Sequence, residues 1–378
     1  MFSIGIGADI VPTKSNIEYF NDGNIETLLG EKLLNILKNC DYTIFNLEAP
    51  LCDLETPINK CGPNLRAPIS CIKGLSIINP HFFNLANNHI YDYGENGINS
   101  TIGLLKEKRI DFAGIGDNIN NLKKSHIAVI KNVKIGIYCC AENEFSIATS
   151  QKAGANPFDS LQSFDDVYWL KKKVDFLVVL YHGGIEHYRY PSPNLQRVFR
   201  KFADVGADIV IGQHSHCIGC MEDYKNSKLI YGQGNFLFDG SDSDLWQTSL
   251  FLKINFDDNG WDVEYVPLKK EKNYIRLANK EDKEKILKDF ISRSKQILNE
   301  EFIRDSFENL CIYKENSYIR ALSGNKNIFE KIFIKIFKPK TNYFYNNTNL
   351  NICYDYILCE SHNEIIKNIL KRNLRNDV

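Results

Sequence analysis

Along residues 1–270, short apolar runs alternate with stretches of helical spacing. The runs are Phe2–Ala8, Tyr42–Phe45, Phe82–Ala86, Lys134–Cys140, Phe176–Tyr181, Ile209–Gly212 and Lys228–Tyr231, and each predicts a strand. Between them, Leu195, Val198, Phe199, Phe202 and Val205 share one face of a helix that begins near Pro193 and stops at Gly206. Ile98, Ile102 and Leu105 mark another over Ile98–Lys108. This alternation is the pattern of stacked α/β units. Beyond about residue 270 the rhythm changes. Glu281–Asn299 is charged, with Ile286, Phe290, Ile291 and Ile297 at helical spacing, and Ile328–Phe337 is an apolar stripe opposed by Lys331, Lys335 and Lys338 and ended by Pro339. The latter reads as a core-facing helix or as a basic amphipathic helix on an anionic membrane surface. The expected division is therefore a domain over 1–270 and a mostly helical region over 271–378.

The residues just past each run carry the chemistry. Asp9 lies beyond the first, Asn46 and Glu48 beyond the second, and Asn87, Asn88 and His89 beyond the third. Glu142 and Glu144 lie beyond the fourth, His182-Gly183-Gly184 beyond the fifth, His214-Ser215-His216 beyond the sixth, and Gly232-Gln233-Gly234-Asn235-Phe236 beyond the seventh. In open α/β sheets the carboxyl ends of the strands are where ligands bind. Singly, Asp9 also suits a helix cap and Asn87 or Asn88 a turn. Together, Asp9, Glu48, Asn88, His182, His214 and His216 suit a metal pair, and mixed carboxylates and imidazoles favour Zn, Mn or Fe. Two such ions can clamp a phosphoryl group. His214 and His216, two apart, face one side of an extended segment, so one can reach each ion. His81, His126, His187 and His362 read as ordinary surface or core histidines, and Glu142 and Glu144 as a solvated strand end.

Composition narrows the class. The chain has 378 residues, 43% hydrophobic and 25% charged, with a net charge of -1, which excludes a disordered, collagenous or membrane-spanning chain and gives no sign of nucleic-acid binding. The charge is uneven: 26 basic against 32 acidic side chains over 1–270, but 20 against 15 over 271–378. The 11 cysteines follow no secretory signal, so free thiols in a reducing cytoplasm are expected. Cys217-Ile218-Gly219-Cys220 is a lone C-x-x-C and a weak metal or redox signal. No G-x-S-x-G elbow and no P-loop pattern occur, which argues against a serine hydrolase and a P-loop kinase or ligase.

Several segments then combine in order: Gly7-Ala8-Asp9, Asn46-Leu47-Glu48-Ala49-Pro50, Lys60-Cys61-Gly62-Pro63-Asn64, Leu85-Ala86-Asn87-Asn88-His89 with Asp92-Tyr93-Gly94, Tyr181-His182-Gly183-Gly184-Ile185-Glu186, Gly206 through His216, and Gly234-Asn235-Phe236. Over residues 2–240 the chain resembles the CapA family of bacterial capsule or poly-γ-glutamate synthesis proteins, within the calcineurin-like metallophosphoesterase superfamily. The resemblance implies a metallophosphatase-like four-layer α/β/β/α sandwich with a C-terminal helical appendage. It implies two divalent ions: Asp9 and His216 on the first, Glu48 bridging, and Asn88, His182 and His214 on the second. His89 would be the general acid. Lys60, Arg66 and Arg189, with Asn46 and Asn87, are the candidate substrate contacts. Val11 stands where many superfamily members carry the histidine of an Asp-x-His motif, and no anchor of the kind many CapA proteins have is evident. Two functions are expected from this. One is a metal-dependent phosphoesterase-like hydrolase in capsule or surface-polymer synthesis, using direct attack of activated water. The other is a non-catalytic accessory subunit that binds a polymer precursor or a synthase. The expected partners are an anionic polymer precursor or phosphorylated metabolite and the capsule synthesis machinery. Membrane contact is expected to be peripheral at most, with the chain in the cytoplasm or at the inner membrane surface.

Overall fold

The computed structural model describes residues 1–323 and 347–375. They form two compact units, Met1–Arg304 and Asp305–Val378. In the first unit the strands run β1 Phe2–Val11, β2 Tyr42–Leu47, β3 Phe82–Asn84, β4 Asp111–Ala113, β5 Ile115–Gly116, β6 Leu122–Lys123, β7 Ser125–Ile130, β8 Val133–Ala141, β9 Gly154–Ala155, β10 Phe176–His182, β11 Ile209–Gln213, β12 Met221–Tyr224, β13 Ser227–Ile230, β14 Asn235–Phe238, β15 Thr248–Asp257, β16 Gly260–Glu271 and β17 Tyr274–Leu277. The first sheet is eight-stranded in the order β17-β16-β15-β1-β2-β3-β4, with β14 also pairing β1. The second is six-stranded in the order β12-β13-β11-β10-β8-β7. The parallel core of each sheet, β1 to β4 and β8-β10-β11-β13, points all its carboxyl ends one way.

Side-chain alternation builds the layers. On β8, Ile137 and Cys139 join a core shared with Ile4, Ile6, Ile44 and Phe83 of the first sheet. The intervening Tyr138 and Cys140 join a separate core with Val167, Phe199 and Phe202 from the helices Ser163–Lys171 and Pro193–Asp204. One face of the second sheet thus meets the first sheet, and the other meets helices. Phe20, Leu28, Leu33 and Leu37, from three short helices between Ile17 and Lys38, are buried against the first sheet. The result is the expected helix–sheet–sheet–helix sandwich. Because the central strands are covered on both faces, they read as unbroken apolar runs, as in Phe176–His182, which is buried throughout.

The first unit extends beyond residue 270. Strand β16 ends at Glu271, β17 pairs with it through Leu277, and the helix Lys280–Gln296 buries Ile286 and Phe290. Phe290 lies 5.0 Å from the Tyr265 ring. The unit closes at Arg304 rather than at 270, because the charge of 280–296 sits on a solvent face while its apolar stripe completes the core. Past Arg304 the described residues are helical, ending with Asn347–Leu358 and Glu360–Arg375. The stripe Ile328–Phe337, with Lys331, Lys335 and Lys338, lies outside the described residues. Among the described residues no helix is long and apolar enough to cross a membrane.

Candidate metal centre

The carboxyl ends of the two sheets converge. β1 delivers Asp9 just where its register with β2 and β14 shifts, and β2 delivers Asn46 and then Glu48. The loop after β3 supplies Asn87, Asn88 and His89. From the second sheet, β10 ends in His182, and β11 is followed by His214, Ser215 and His216. His214 and His216 both have positive φ, 93° and 53°, so the segment is a tight turn rather than extended strand. Gly234 also has positive φ (80°), and a Cβ there would meet the Thr248 carbonyl oxygen at 2.8 Å. A glycine is required to turn the chain into Asn235.

A chain of donors fixes the side chains. The His89 backbone N–H donates to Asn87 Oδ1 (3.1 Å). Asn87 Nδ2 donates to Asn46 Oδ1 (3.2 Å) and to the Leu47 carbonyl (2.9 Å). Asn46 Nδ2 then donates to Asp9 Oδ1 (2.8 Å) and lies 3.2 Å from His182 Nδ1. Asn46 and Asn87, read as substrate contacts, are both fully buried within this chain and hold Asp9 and His89 in place. The other oxygen of Asp9 accepts the His214 backbone N–H (3.2 Å) and lies 3.7 Å from His216 Nδ1. His216 Nδ1 is also 2.9 Å from Asn235 Oδ1, and donation to that oxygen leaves Nε2 with its lone pair.

Glu48, His214 and His216 bring ligand atoms within 4.8 Å of one another. His182 Nε2 lies 3.0 Å from Asn88 Oδ1 and 3.3 Å from Glu48 Oε1. Donors held at about 2.0–2.2 Å by one ion stand roughly 3.0–3.5 Å apart, so these separations fit a shared cation. Both Glu48 oxygens are buried with no hydrogen-bond donor against them. A buried carboxylate without donors is costly unless it is protonated or meets a cation. Burial, with the Glu48 charge adding, pushes the Asp9 carboxyl up to about 7. Burial pushes Glu48 up to about 8. It also holds His182 and His214 below their usual range and His216 down at about 3. Burial thus disfavours the charged form of every titratable member of the cluster, and a divalent cation is the partner that would favour ionised carboxylates and use imidazole lone pairs.

The His89 surroundings were not evident in the sequence. His89 Nδ1 is 2.7 Å from Asp92 Oδ2, which also accepts the Leu65 backbone N–H at 2.7 Å. The other oxygen of Asp92 is paired with Lys60, whose ammonium is 3.2 Å from His89 Nδ1. Lys60 and Asp92 side chains are 3% and 0% exposed, so this is a buried pair and Lys60 is not a free surface cation. Arg66 donates to the Leu54 carbonyl and lies over the Tyr93 ring. Arg189 donates to the Ile218 carbonyl at 2.8 Å. All three cations read as substrate contacts thus have partners within this chain, Lys60 in a buried pair and Arg66 and Arg189 at half-buried positions. His187, read as an ordinary histidine, lies beside the cluster, with its ring centroid 6.2 Å from that of His216. The Trp246 ring lies tilted against the His216 ring with centroids 4.6 Å apart, and Glu186 Oε1 lies 3.8 Å from His214 Nε2. All the cysteines are free, and Cys217 and Cys220 are buried.

Residues 6–240 match the family described as bacterial capsule synthesis protein PGA_cap. The chain is 31% identical over 245 residues to a capsule biosynthesis protein CapA of Bacillus anthracis, covering 61% of this chain and 59% of that protein. It is 30% identical over 216 residues to the PGA biosynthesis protein CapA of Bacillus subtilis strain 168, covering 54% of this chain and 55% of that protein. The chain therefore spans somewhat over half the length of these curated relatives. Among solved structures, a phosphatase from Mycoplasma pneumoniae superposes with a TM-score of 0.45 at 14% identity, over 72% of this chain and 94% of that one. The matched stretch contains all the strand-end residues from Asp9 to Asn235, and with more than half its length inside that stretch the chain belongs to the bacterial capsule synthesis protein PGA_cap family.

Proposed function

We propose that the chain is a metal-dependent hydrolase of phosphoesters acting on an anionic precursor in capsule or surface-polymer synthesis. The observation that carries this reading is Glu48: a carboxylate buried without a donor, facing imidazoles of His182, His214 and His216. Asp9, Glu48, Asn88, His182, His214 and His216 would hold two divalent ions, Mn, Fe or Zn. When bound, such ions supply Lewis acidity to a phosphoryl oxygen and lower the pKa of water. The rest is done by the chain. Asp92 accepts from His89 Nδ1 and so orients the ring and favours its doubly protonated form, whose Nε2–H would supply the proton to the leaving oxygen. Asn87 fixes the His89 backbone. Asn235 fixes the His216 ring, and Asn46 bridges Asp9 to His182. The free cysteines are compatible with a reducing, cytoplasmic setting, and the likeness to capsule synthesis proteins supports the capsule machinery as partner.

The second reading is an accessory subunit that binds a precursor or synthase without turnover. Val11 favours it, being a buried apolar side chain at the position of a superfamily ligand. Metal content after purification, then turnover of an aryl phosphate with Mn added, separates the two. Retained metal with turnover, both abolished in Glu48→Gln, supports the hydrolase. Retained metal with no turnover on any phosphoester supports the accessory role.

A further inference from the structure

His187 sits at the edge of the metal cluster and plays no part in the roles above. Its backbone N–H donates to the Ser215 carbonyl (2.9 Å), which ties it to the His214–His216 turn. Its φ is 63°, a left-handed conformation that non-glycine residues adopt rarely and that functional sites hold against strain. The Trp246 indole Nε1 donates to His187 Nε2 at 2.8 Å. An indole N–H can only donate, so Nε2 is the acceptor, and the proton of a neutral imidazole must sit on Nδ1. Trp246 is itself pinned: it is 8% exposed, its ring lies tilted against His216 at 4.6 Å, and it is 4.9 Å from the Phe238 ring. The His187 side chain is exposed, and its Nδ1 has no hydrogen-bond partner among the described residues. The neighbouring Glu186 carboxylate lies against His214, 3.8 Å from Nε2.

We infer that His187 is a substrate-binding residue, presenting a fixed Nδ1–H to an anionic oxygen of the substrate other than those of the reacting phosphoryl group. The donor is preorganised three ways, by the left-handed backbone, the Ser215 carbonyl and the Trp246 indole, so little freedom is lost on binding. Its distance from His216 places it beside the metal cluster rather than in it. The oxygen it takes belongs to a carboxylate or to a second phosphate. The inference rests on the hydrolase reading only for the identity of the reacting group, and binding tests it independently.

The experiment uses the full chain loaded with Mn and measures binding of inorganic phosphate, pyrophosphate and a tetraglutamate peptide by calorimetry. His187→Gly removes the donor while keeping the backbone conformation, and His187→Asn restores an N–H near the Nδ1 position and tolerates positive φ. Pyrophosphate or tetraglutamate should bind about tenfold more weakly to His187→Gly, the scale of one hydrogen bond to a charged oxygen. His187→Asn should recover most of that loss, and inorganic phosphate should bind all three proteins alike. Weakening of tetraglutamate identifies a carboxylate, and weakening of pyrophosphate a second phosphate. Trp246→Phe keeps an aromatic ring against His216 but frees the His187 imidazole, and should lose several-fold affinity for the same probe. Unchanged binding of both probes by His187→Gly, or failure of the parent chain to bind either, overturns the inference. A parent that binds a probe but turns over no phosphoester refutes the hydrolase reading and leaves this one standing.

Discussion

Asp92 offers the most discriminating perturbation, because its carboxylate is engaged at both oxygens. One accepts from His89 Nδ1 and from the Leu65 N–H, each at 2.7 Å, and the other pairs with Lys60. Asp92→Asn keeps one acceptor oxygen but turns an NH2 group toward the Lys60 ammonium, donor against donor. The Lys60 side chain is 3% exposed, so water compensates poorly for the lost charge. Removing one partner of a buried ion pair costs about 3–5 kcal/mol, mostly as the unpaired charge left behind. Lys60→Met should cost less, about 1–3 kcal/mol, since Asp92 keeps its bonds to His89 and Leu65. The double variant carries neither buried charge. It should be more stable than Asp92→Asn alone, with a coupling energy of about 2–3 kcal/mol at this range of contact. Urea unfolding of the four proteins, followed by tryptophan fluorescence, measures the cycle. Additive losses would refute the buried-pair argument and show that Lys60 reaches solvent. The same proteins test function. Asp92→Asn should lower turnover more than Lys60→Met, because only Asp92 accepts from His89.

Three further outcomes are expected. His214→Ala and Asn88→Ala should lose bound metal, whereas His89→Ala should keep it and lose turnover of alkyl phosphates by ~10²–10⁴-fold while affecting an aryl phosphate of low leaving-group pKa much less; metal loss in His89→Ala, measured by elemental analysis, would make His89 a ligand instead. Truncation after Arg304 should leave a soluble, metal-binding chain, but truncation after 270 should aggregate, because it removes β17 and the helix that buries Phe290; size-exclusion chromatography of both decides it. Cys217→Ser and Cys220→Ser should each retain full metal, since burial holds both thiols above their usual range and so away from the thiolate form that ligates metal; loss in either would put the C-x-x-C in the site.

How far the sequence anticipates the molecule depends on where contacts originate. Asp9, Glu48, Asn88, His182, His214 and His216 each come at or just after a strand that is buried on both faces, so the apolar run announces the strand and its end announces the site. The network behind them is less visible. Asn46 and Asn87 read as substrate contacts because asparagines near a site are ambiguous, and only the fold shows them spent on Asp9, Leu47 and His89. Lys60 reads as a loop cation, and its burial depends on a turn 32 residues away that brings Asp92 to it. Strands β15 to β17 mix buried positions with half-buried or exposed ones, so they stand out less than the central runs. Charge misplaces the boundary for a related reason. It reports the solvent face of the helix Lys280–Gln296, whereas membership of the core is settled by Ile286 and Phe290 on the other face. His187 is the extreme case. Nothing in its neighbours along the chain distinguishes it from His81 or His126, and its role is defined by an indole 59 residues later. Residues that face a site from strand ends are therefore announced by local pattern. Residues that orient those side chains are selected by tertiary contact, and the Asp92 cycle and the His187 variants are directed at this second group.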